Sequence, residues 1–582
     1  MLSDNRFIHC KPWFPRLVEG LVVEGGLREA LLGRSSMYQV GGQPGHRTDE
    51  LVFTVKSVMG KYKEEGKPMI LQMFDISKYF DKETIEDAIL TCEKREANKK
   101  ATRIWYKLNQ KTKIQVRTGV GMTEEAEVGA VLGQGTLGGA LISQAVLDDG
   151  VGEHFTPGGE GEVQYGEVPL APLMWQDDLL HGVEGVEEAR RSSTRVDTMV
   201  KQRLLTLNQD KSVAVLVGNK TQRQDLRQGF QGKPLMCGNF EVKEVTTWKW
   251  LGQMISGEGL GASVAQTIAS REGKVRGACL EIAQVCNDWR ARSAGGLETA
   301  LLLWESCVVP SLLHGCGTWV GITAPMEKKL NDLQLWFARL ALQVGKGTPR
   351  VALTWETGLL NMKLRIWIEK VMLVLHIRSL DANTIARKIY EEQKLNKWPG
   401  LVEETTNICK ELGIDDCNMT EQGKKDYRKT VIEACKRKDE TLLRKDAEKN
   451  IKCDKIMKQK YGKKSYIYQQ NINVAREHFR TRVMMHRFAG NYRHDRAFLR
   501  TGGLCRCGTA PEQEEHLTSG ECPTYSDIFE KFEDLSDEKN LVCLFREILA
   551  RREALDSAVA ASPDAAGGRQ PGGNSGQAGL GT

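Results

Sequence analysis

The stretch LAPLMWQDDLLHG at residues 170–182 carries two adjacent acids, Asp177 and Asp178, between apolar arms. Apolar arms usually belong to buried backbone, and a buried carboxylate is costly unless a cation holds it. The pattern around the acids predicts two strands joined by a tight turn, with the carboxylates at the turn or strand end. The fold must therefore place two charges at the edge of a buried sheet.

The segments on either side of these acids restrict the fold further. PMILQMFDISKYFDK predicts a strand that ends at Asp75, and TIEDAILTCEK has helical spacing. A glycine-rich loop then leads into the small-residue helix of GGALISQAVLDD, and after the acids come an amphipathic helix and the strand-like SVAVLVG. This order predicts a split βαβ sheet with helices on one face, in which central strands bring Asp75 beside Asp177 and Asp178.

Length and composition limit the class of protein. A chain of 582 residues predicts several domains, since single cores rarely exceed about 250–300 residues. Its 40% hydrophobic and 27% charged residues are typical of a globular protein, and no apolar run approaches a membrane span. We identify no secretory leader, and fifteen cysteines without a dense framework indicate reduced thiols in an intracellular compartment.

Charge is distributed unevenly along the chain. The formal net charge is +6, yet residues 421–500 alone hold a net charge of about +13 and the remainder is acidic. A basic face of this density suits a polyanion. The alternative is a solvated helical surface with no partner.

Three acids at strand ends suggest a particular chemistry. An Asp-Asp pair at a turn is, by itself, more often solvated or cap-like. A third acid at a neighbouring strand end changes that balance, because carboxylate and phosphate oxygens are the ligands that Mg²⁺ prefers. Two such ions can activate an attacking oxygen and stabilise a leaving one in phosphoryl transfer.

Five motifs follow one another in order: FDISKYFD, VLGQGTLGGALIS, MWQDDLL, LNQDKS and WKWLGQMI. The series resembles the palm motifs of reverse transcriptases, and QVGGQPGHRTDE resembles the fingers motif of the non-LTR (LINE-type) retrotransposon group. The resemblance covers residues 39–256 motif by motif and continues more loosely through the helical region. Each motif is weak alone, whereas five in the expected order are specific.

The resemblance implies roles for individual residues. Asp75, Asp177 and Asp178 would be the catalytic carboxylates that hold two Mg²⁺ ions, and Lys211 would assist the departure of pyrophosphate. The remaining positions would contact the incoming nucleotide, the template or the primer. They are Phe80 beneath the sugar, Gln134 and Gly135 in the loop on nucleotide and template, Gln176 against the primer terminus, and Trp250, Leu251 and Gly252 in the primer grip. Without the resemblance, Phe80 could be a core residue, Gln134 an ordinary loop residue and Lys211 a solvated charge.

Some features depart from the group's pattern. The position before the two acids is usually Ala and is here Gln176, and the proline that commonly precedes Gln134 is replaced. We find no counterpart of the group's upstream basic fingers strand or of the endonuclease found in many members. The alternative is therefore a catalytically inactive nucleic-acid-binding relic, and a purely structural helical scaffold is a second one.

A cysteine cluster lies near the end of the chain. LCRCGTAPEQEEHLTSGEC places Cys505, Cys507, His516 and Cys522 in one short span, and three thiolates with one imidazole can complete a tetrahedral zinc shell. The segment also resembles the CCHC zinc knuckle of LINE-type proteins, although a metal-free reduced loop is the alternative. Just before it, HFRTRVMMHRFAGNYRHDRAFLR alternates cations with aromatic rings, which suits phosphate contacts and base stacking.

These observations predict an α+β protein with a right-hand polymerase architecture. Residues 1–260 would form partial fingers and a palm, 261–400 a helical thumb and connector, 401–500 a basic helical nucleic-acid-binding region, 501–525 the zinc knuckle, 526–555 a helix and 556–582 a disordered tail. The function implied by the resemblance is RNA-directed DNA polymerisation with template RNA, primer or target DNA and dNTPs as partners, and no membrane. For a retroelement protein we expect localisation in the cytoplasm and nucleus.

Overall fold

The chain forms two compact units in a computed structural model that describes residues 13–110, 112–115, 117–118, 121–128, 136–159, 161–287, 295–415, 423–448, 453, 456, 461–483, 486, 488, 502–532 and 534–560. Both units are discontinuous in sequence. Unit A comprises residues 1–273, 311–330 and 362–436, and unit B comprises residues 274–310, 331–361 and 437–582. Gln134, Gly135 and residues 561–582 of the expected tail lie outside the described residues.

A five-stranded sheet lies at the centre of unit A. Its strands are β1 (Met69–Asp75), β2 (Leu173–Trp175), β3 (Asp178–Val183), β4 (Val213–Val217) and β5 (Lys243–Glu244), in the spatial order β5-β4-β1-β3-β2. All neighbours are antiparallel except the pair β4 and β5. The first four strands thus have the order 4-1-3-2, which is the order of a split βαβ sheet.

Both faces of this sheet are covered. Leu71 and Met73 of β1 belong to one apolar cluster, whereas Ile70 and Phe74 belong to another on the opposite face. Helix α1 (Thr48–Glu64) packs in the first cluster, and α2 (Gly139–His154) and α3 (Val186–Gln202) pack in the second. The expectation of helices on one face is therefore wrong. Strand β1, in which Gln72 is the one polar residue before Asp75, and the wholly apolar β4 lack the polar alternation of a half-solvated strand and are buried on both sides.

Local sequence sets several of the remaining elements of unit A. The side chains of Thr84, Asn98 and Asn219 each accept hydrogen bonds from backbone N–H groups at the start of a helix. Besides α1, α2 and α3, the helices wholly in this unit are Trp13–Val22, Arg28–Gly33, Tyr79–Lys82, Ile85–Lys94, Lys99–Asn109, Lys220–Gly229, Met362–Arg378, Ile385–Asn396 and Leu401–Leu412, with a π-helix at Val23–Leu27 and a 3₁₀ helix at Cys316–Thr318.

Short hairpins complete unit A. The one after the sheet pairs β6 (Thr247–Trp250) with β7 (Gln253–Ser256). The others join Thr112–Ile114 with Ala126–Val128, Arg117–Thr118 with Gly121–Met122, Gln164–Tyr165 with Val168–Pro169, and Met236–Cys237 with Phe240–Glu241.

Unit B is helical wherever it has regular structure among its described residues. Trp304 stacks on Phe337 in its core with ring centroids 4.6 Å apart. Its own helices are Gly296–Leu303, the π-helix Trp304–Val308, Arg350–Thr357, Ser465–Gln469, Ile472–Arg482, Glu514–Thr518, Ser526–Phe529 and α6 (Glu538–Ala560). The helices α4 (Leu260–Asn287), Val309–Leu312, Ala324–Leu342 and α5 (Lys424–Ala447) contribute residues to both units.

Two features of the helices bear on the sequence expectations. Helix α6 continues to Ala560, so residues 556–560 of the expected disordered tail are helical. Within the described parts of the chain, none of the helices is both long enough and apolar enough to cross a bilayer.

Candidate functional site

The central strands of unit A bring the predicted carboxylates to one end of the sheet. Asp75 is the last residue of β1 and is the register partner of Asp178, the first residue of β3. Asp177 immediately precedes β3 in the turn from β2. All three residues are partly exposed, while the strand positions behind them are buried. The apolar arms noted in the sequence therefore lead to acids that face the solvent at the sheet's end.

The turn that carries the acids is tight. Trp175 of β2 pairs with Asp178 of β3, so only Gln176 and Asp177 lie between the strands. Gln176 has φ = +56°, and Asp177 is not among the residues with positive φ. A positive φ at the first central position alone is the pattern of a type II′ turn, which favours glycine there. The chain instead places a glutamine at this strained position.

Lys211 lies beside the first acid. The backbone N–H of Asn208 donates to the carbonyl of Asp75 at 2.8 Å, which ties the loop before β4 to the end of β1. Nζ of Lys211 is then 3.7 Å from Oδ2 of Asp75. About half of the Lys211 side chain is exposed, so its ammonium remains accessible to a bound anion.

Phe80 follows Asp75 in the short helix Tyr79–Lys82 and is half-buried. Its neighbour Tyr79 is the core residue of this helix, because it is 2% exposed and its hydroxyl donates to the carbonyl of Ser143 at 2.5 Å. The two rings meet edge to face with centroids 5.8 Å apart. Phe80 thus rests on a fixed ring and is not itself part of the closed core.

The predicted primer-grip residues lie in the hairpin of β6 and β7. Trp250 is buried against the sheet, whereas Leu251 and Gly252 form a two-residue turn with φ of +44° and +79°. Both positive values fit a type I′ turn. Arg271 of α4 donates to the carbonyl of Gly252 at 2.6 Å and to those of Leu312 and His314 at 2.8 and 2.9 Å. This arginine belongs to none of the sequence motifs, yet it fixes the turn to the first helix after the sheet.

A second candidate site lies in unit B. Four potential metal ligands lie together here: Cys505, Cys507, His516 and Cys522 place their ligand atoms within 4.8 Å of one another. Among the described residues, this is the group of His, Cys, Asp or Glu side chains that lies close enough together to hold one metal ion. Sγ of Cys505 is 3.6 Å from Sγ of Cys522, and Sγ of Cys507 is 3.2 Å from Nε2 of His516. Two sulfurs bound to one tetrahedral zinc ion lie about 3.8 Å apart. These four side chains could therefore hold zinc.

The two halves of the cluster differ in environment. Cys505 and Cys522 are buried, and burial together with the neighbouring Cys507 and Cys522 thiols raises the pKa of Cys505 to about 12. For Cys507, burial opposes ionisation, but hydrogen bonds from Thr509 and other neighbours lower the pKa to about 6. A turn closed by the Gly508 N–H on the Cys505 carbonyl at 2.9 Å holds the first two ligands.

The zinc-ligand segment does not stand alone. Phe488, Leu517, Tyr525 and Ile528 share one apolar cluster with Leu544, Phe545 and Ile548 of α6, and Cys505 and Cys522 belong to it. The ligands are thus attached to a small core that includes the last helix.

The basic stretch before this segment differs from expectation. Arg482 is nearly fully buried and donates twice to the buried carboxylate of Glu356, at 2.5 and 2.9 Å. Arg480 donates to the carbonyl of Gln343 at 2.8 Å, and Arg476, two residues before the stretch, donates to the carbonyl of Ala341 at the same distance. Phe479 is fully buried. The expectation that Phe479, Arg480 and Arg482 contact bases and phosphates is therefore wrong, because the ring is buried and the two cations satisfy unit B's own acceptors. Residues 484, 485, 487 and 489–500 of the stretch lie outside the described part.

One residue near the acids had no assigned role in the sequence. The side-chain amide of Gln39 lies against the Gln176 turn and hydrogen-bonds its backbone. Gln39 belongs to the fingers-like QVGGQPGHRTDE, but its partner is 137 residues away in sequence. The motif could identify the position, whereas only the fold identifies the contact.

Comparison with known proteins gives structural neighbours only. No protein-family model matches the chain, and no curated protein matches its sequence. Similar solved structures include apo telomerase from Candida tropicalis, 10% identical with a TM-score of 0.32 over 72% of this chain and 60% of that one. A form truncated of its C-terminal domain is 12% identical with a TM-score of 0.29, over 42% of this chain and 43% of that one. Telomerase from Candida albicans in complex with a telomeric RNA fragment is 10% identical with a TM-score of 0.27, over 65% and 56%. The chain spans between 43% and 60% of the length of these telomerases.

Proposed function

We propose that this chain is an RNA-directed DNA polymerase of the non-LTR retrotransposon type, which adds dNTPs to a primer 3′-OH. The observation that carries the proposal is the register pairing of Asp75 with Asp178, with Asp177 in the turn between the strands. Three partly exposed carboxylates at one sheet end are a donor set that suits Mg²⁺. Two bound Mg²⁺ ions would supply charge stabilisation for phosphoryl transfer.

The residues around the acids have separate tasks in this proposal. Lys211, 3.7 Å from Asp75, neutralises charge that accumulates on the departing pyrophosphate. Phe80 limits the space beneath the nucleotide sugar, and Gln176 contacts the primer terminus. Trp250, Leu251 and Gly252 hold the primer strand from the hairpin, while Gln134 and Gly135 contact nucleotide and template.

The partners in this proposal are template RNA, primer or target DNA, and dNTPs. Helix α5 presents exposed cations such as Lys425, Lys436 and Lys445 along its length, which suits the phosphate backbone. We further propose that Cys505, Cys507, His516 and Cys522 bind one Zn²⁺, which stabilises the end of the chain, and that the protein acts in the cytoplasm and nucleus.

Primer extension on an RNA template tests the catalytic proposal. Asp75→Asn and Asp177→Asn should each lower incorporation by roughly a thousandfold or more, since a metal site supplies several kcal/mol of barrier reduction. RNA affinity should change little, because phosphate contacts lie elsewhere. Asp210→Asn is the matched control, since this acid is 90% exposed and lies one residue before Lys211.

Two results would contradict the proposal in different ways. Asparagine variants that extend the primer at the parent rate would exclude the three-acid site. A parent protein that binds RNA tightly but incorporates no nucleotide would instead be a nucleic-acid-binding relic of such an enzyme.

A further inference from the structure

Gln39 holds both backbone groups of a single residue in the candidate active site. Its Oε1 accepts from the N–H of Gln176 at 3.2 Å, and its Nε2 donates to the carbonyl of Gln176 at 3.3 Å. Oε1 also accepts from the N–H of Gly41 at 3.1 Å. Gln39 is fully buried and Gln176 is partly exposed, so the two hydrogen bonds between them are partly shielded from water.

The residue that Gln39 holds needs such support. Gln176 adopts φ = +56°, a left-handed conformation that a residue with a Cβ atom rarely occupies. It directly precedes Asp177 and Asp178, so its backbone conformation sets the direction in which both acids leave the turn. A relaxation of Gln176 toward negative φ would rotate the peptide that leads into Asp177.

The segment around Gln39 is fixed to the sheet next to the turn. Met174 of β2 donates to the carbonyl of Tyr38 at 2.9 Å and accepts from the N–H of Val40 at 3.3 Å. Gly41 lies so close to the turn that a Cβ atom there would be 2.3 Å from the backbone nitrogen of Gln176. Residues 38–41 therefore form a rigid support rather than a loose loop.

The far end of the same loop is also anchored. The buried carboxylate of Glu50 accepts from the N–H of Arg47 at 2.8 Å and contacts ring nitrogens of His46 and His376 at 2.6 and 2.7 Å. These contacts connect the loop to helices α1 and Met362–Arg378. The position of Gln39 is thus determined by structure on both sides of it.

We propose that Gln39 is a positioning residue, whose side-chain amide holds Gln176 in its left-handed conformation and so directs Asp177 and Asp178 toward the reacting phosphates. This inference rests on the proposed polymerase function. Gln39 does not touch substrate. It acts only through the backbone of Gln176.

The first test replaces the amide with a side chain of similar length. Gln39→Met should lower kcat by about 10- to 100-fold, the size expected when catalytic groups are misplaced by about 1 Å. It should change the KM for dNTP by less than about threefold, because the nucleotide's other contacts remain. Gln39→Glu keeps the acceptor but loses the donor, and should give an intermediate kcat.

Gln72→Met is the matched control. Gln72 is equally buried on β1, and its amide donates at 2.9 Å to the carbonyl of Ala189 and at 2.7 Å to Oγ of Ser193, away from the turn. The Tm of Gln72→Met should fall about as much as that of Gln39→Met. The kcat of Gln72→Met should stay within about twofold of the parent, because the two variants lose similar buried hydrogen bonds and only Gln39→Met loses the contact with the Gln176 turn.

The decisive variant combines Gln39→Met with Gln176→Gly. Glycine adopts positive φ without strain, so the turn no longer needs the amide. The double variant should therefore stay within about threefold of Gln176→Gly alone in kcat, a non-additive result in a double-mutant cycle, in which the Gln176→Gly single variant accounts for the lost glutamine side chain. Additive losses, or an unchanged kcat in a folded Gln39→Met protein, would overturn the proposal.

Hydrogen exchange separates this proposal from the proposed function. The Gln176 amide should exchange about tenfold faster or more in Gln39→Met than in Gln72→Met, whether or not the parent polymerises, because exchange reports local opening. A parent without polymerase activity would refute the polymerase proposal, and equal exchange in the two variants would refute the role of Gln39.

Discussion

The ammonium of Lys211 lies 3.7 Å from Oδ2 of Asp75. Lys211 belongs to the loop before β4, and the backbone N–H of Asn208 in that loop donates to the carbonyl of Asp75 at the end of β1. An exposed lysine next to a carboxylate contributes little stability by itself. Lys211 lies at the same sheet end as Asp177 and Asp178. Its ammonium could therefore interact both with Asp75 and with a negatively charged leaving group.

We expect Lys211→Met to lower kcat for nucleotide incorporation by about 10- to 100-fold with a smaller effect on KM, as for loss of a group that stabilises developing charge. Lys243→Met is the control, since Lys243 is also exposed and pairs with an aspartate, Asp210, at 3.7 Å. Single-turnover kinetics would measure both variants. Equal rates for the two would exclude a role for Lys211 in the chemical step.

Phe80→Ala should admit ribonucleotides, because the half-buried ring lies just after Asp75 and would oppose a ribose 2′-OH. We expect the ratio of rNTP to dNTP use to rise by one or two decades, roughly 1.4–2.8 kcal/mol of discrimination. Phe240→Ala, another half-buried phenylalanine of unit A, should lose stability without changing this ratio. A folded Phe80→Ala protein with the parent's sugar preference would contradict the assignment.

Zinc removal should affect more than the ligand loops. Because Cys505 and Cys522 share a core with Leu544, Phe545 and Ile548, we expect Cys522→Ser to lose the single zinc ion and to speed hydrogen exchange in α6. Cys543→Ser is the control, since Cys543 is exposed on α6 and is not a ligand. Elemental analysis that finds no zinc in the parent would exclude the site.

The stability of unit A should fall as pH rises through the neutral range. Burial raises the pKa of Glu83 from 4.5 to about 8, and the neighbouring carboxylate of Asp87 adds to the shift. Between these values the folded state binds more protons than the unfolded state, so the free energy of unfolding falls by up to about 1.4 kcal/mol per pH unit. Glu83→Gln should remove this slope between about pH 4.5 and 8, whereas the exposed Glu86→Gln should keep it. Denaturant titrations at several pH values would measure both.

Nucleic-acid affinity should depend on salt through helix α5. Lys425 and Lys436 are exposed on it, and replacing both with Gln should reduce the slope of log affinity against log salt by roughly 1.4–1.8, since each phosphate contact contributes about 0.7–0.9. The control replaces Lys394 and Lys397 with Gln. Both are exposed, Lys394 in the helix Ile385–Asn396 and Lys397 directly after it. If both double variants change the slope equally, α5 is not a dedicated binding surface.

The sheet could be predicted from the sequence because its signals are local. The apolar run before Asp75 predicts β1, the run after Lys211 predicts β4, and the turn at Asp177 predicts where β2 ends and β3 begins. The split βαβ pattern then predicts which of these strands are neighbours in the sheet. The covering of the sheet was predicted wrongly although a signal was present. The near-continuous apolar runs of β1 and β4 are typical of strands buried on both sides, and helices here cover both faces.

The contacts that hold the site were beyond sequence reasoning. Gln39 and Gln176 are 137 residues apart, and neither residue type predicts an amide bound to a strained turn. The same reasoning misjudged Arg480 and Arg482, because a run of cations looks alike whether it faces phosphates or its own buried acceptors. The buried Glu356 that pairs with Arg482 is 126 residues away in the chain.

The central position of β1 has a consequence for how the chain matures on the ribosome. Its two neighbours, β3 and β4, are synthesised more than 100 residues later. Met69–Asp75 therefore has both hydrogen-bonding edges open until residue 183 has emerged, and one edge open until residue 217 has emerged. Contacts between segments so distant in sequence form slowly, and an apolar strand with open edges is prone to pair with other chains. We therefore expect yields of folded protein to depend on chaperones that shield β1 during translation.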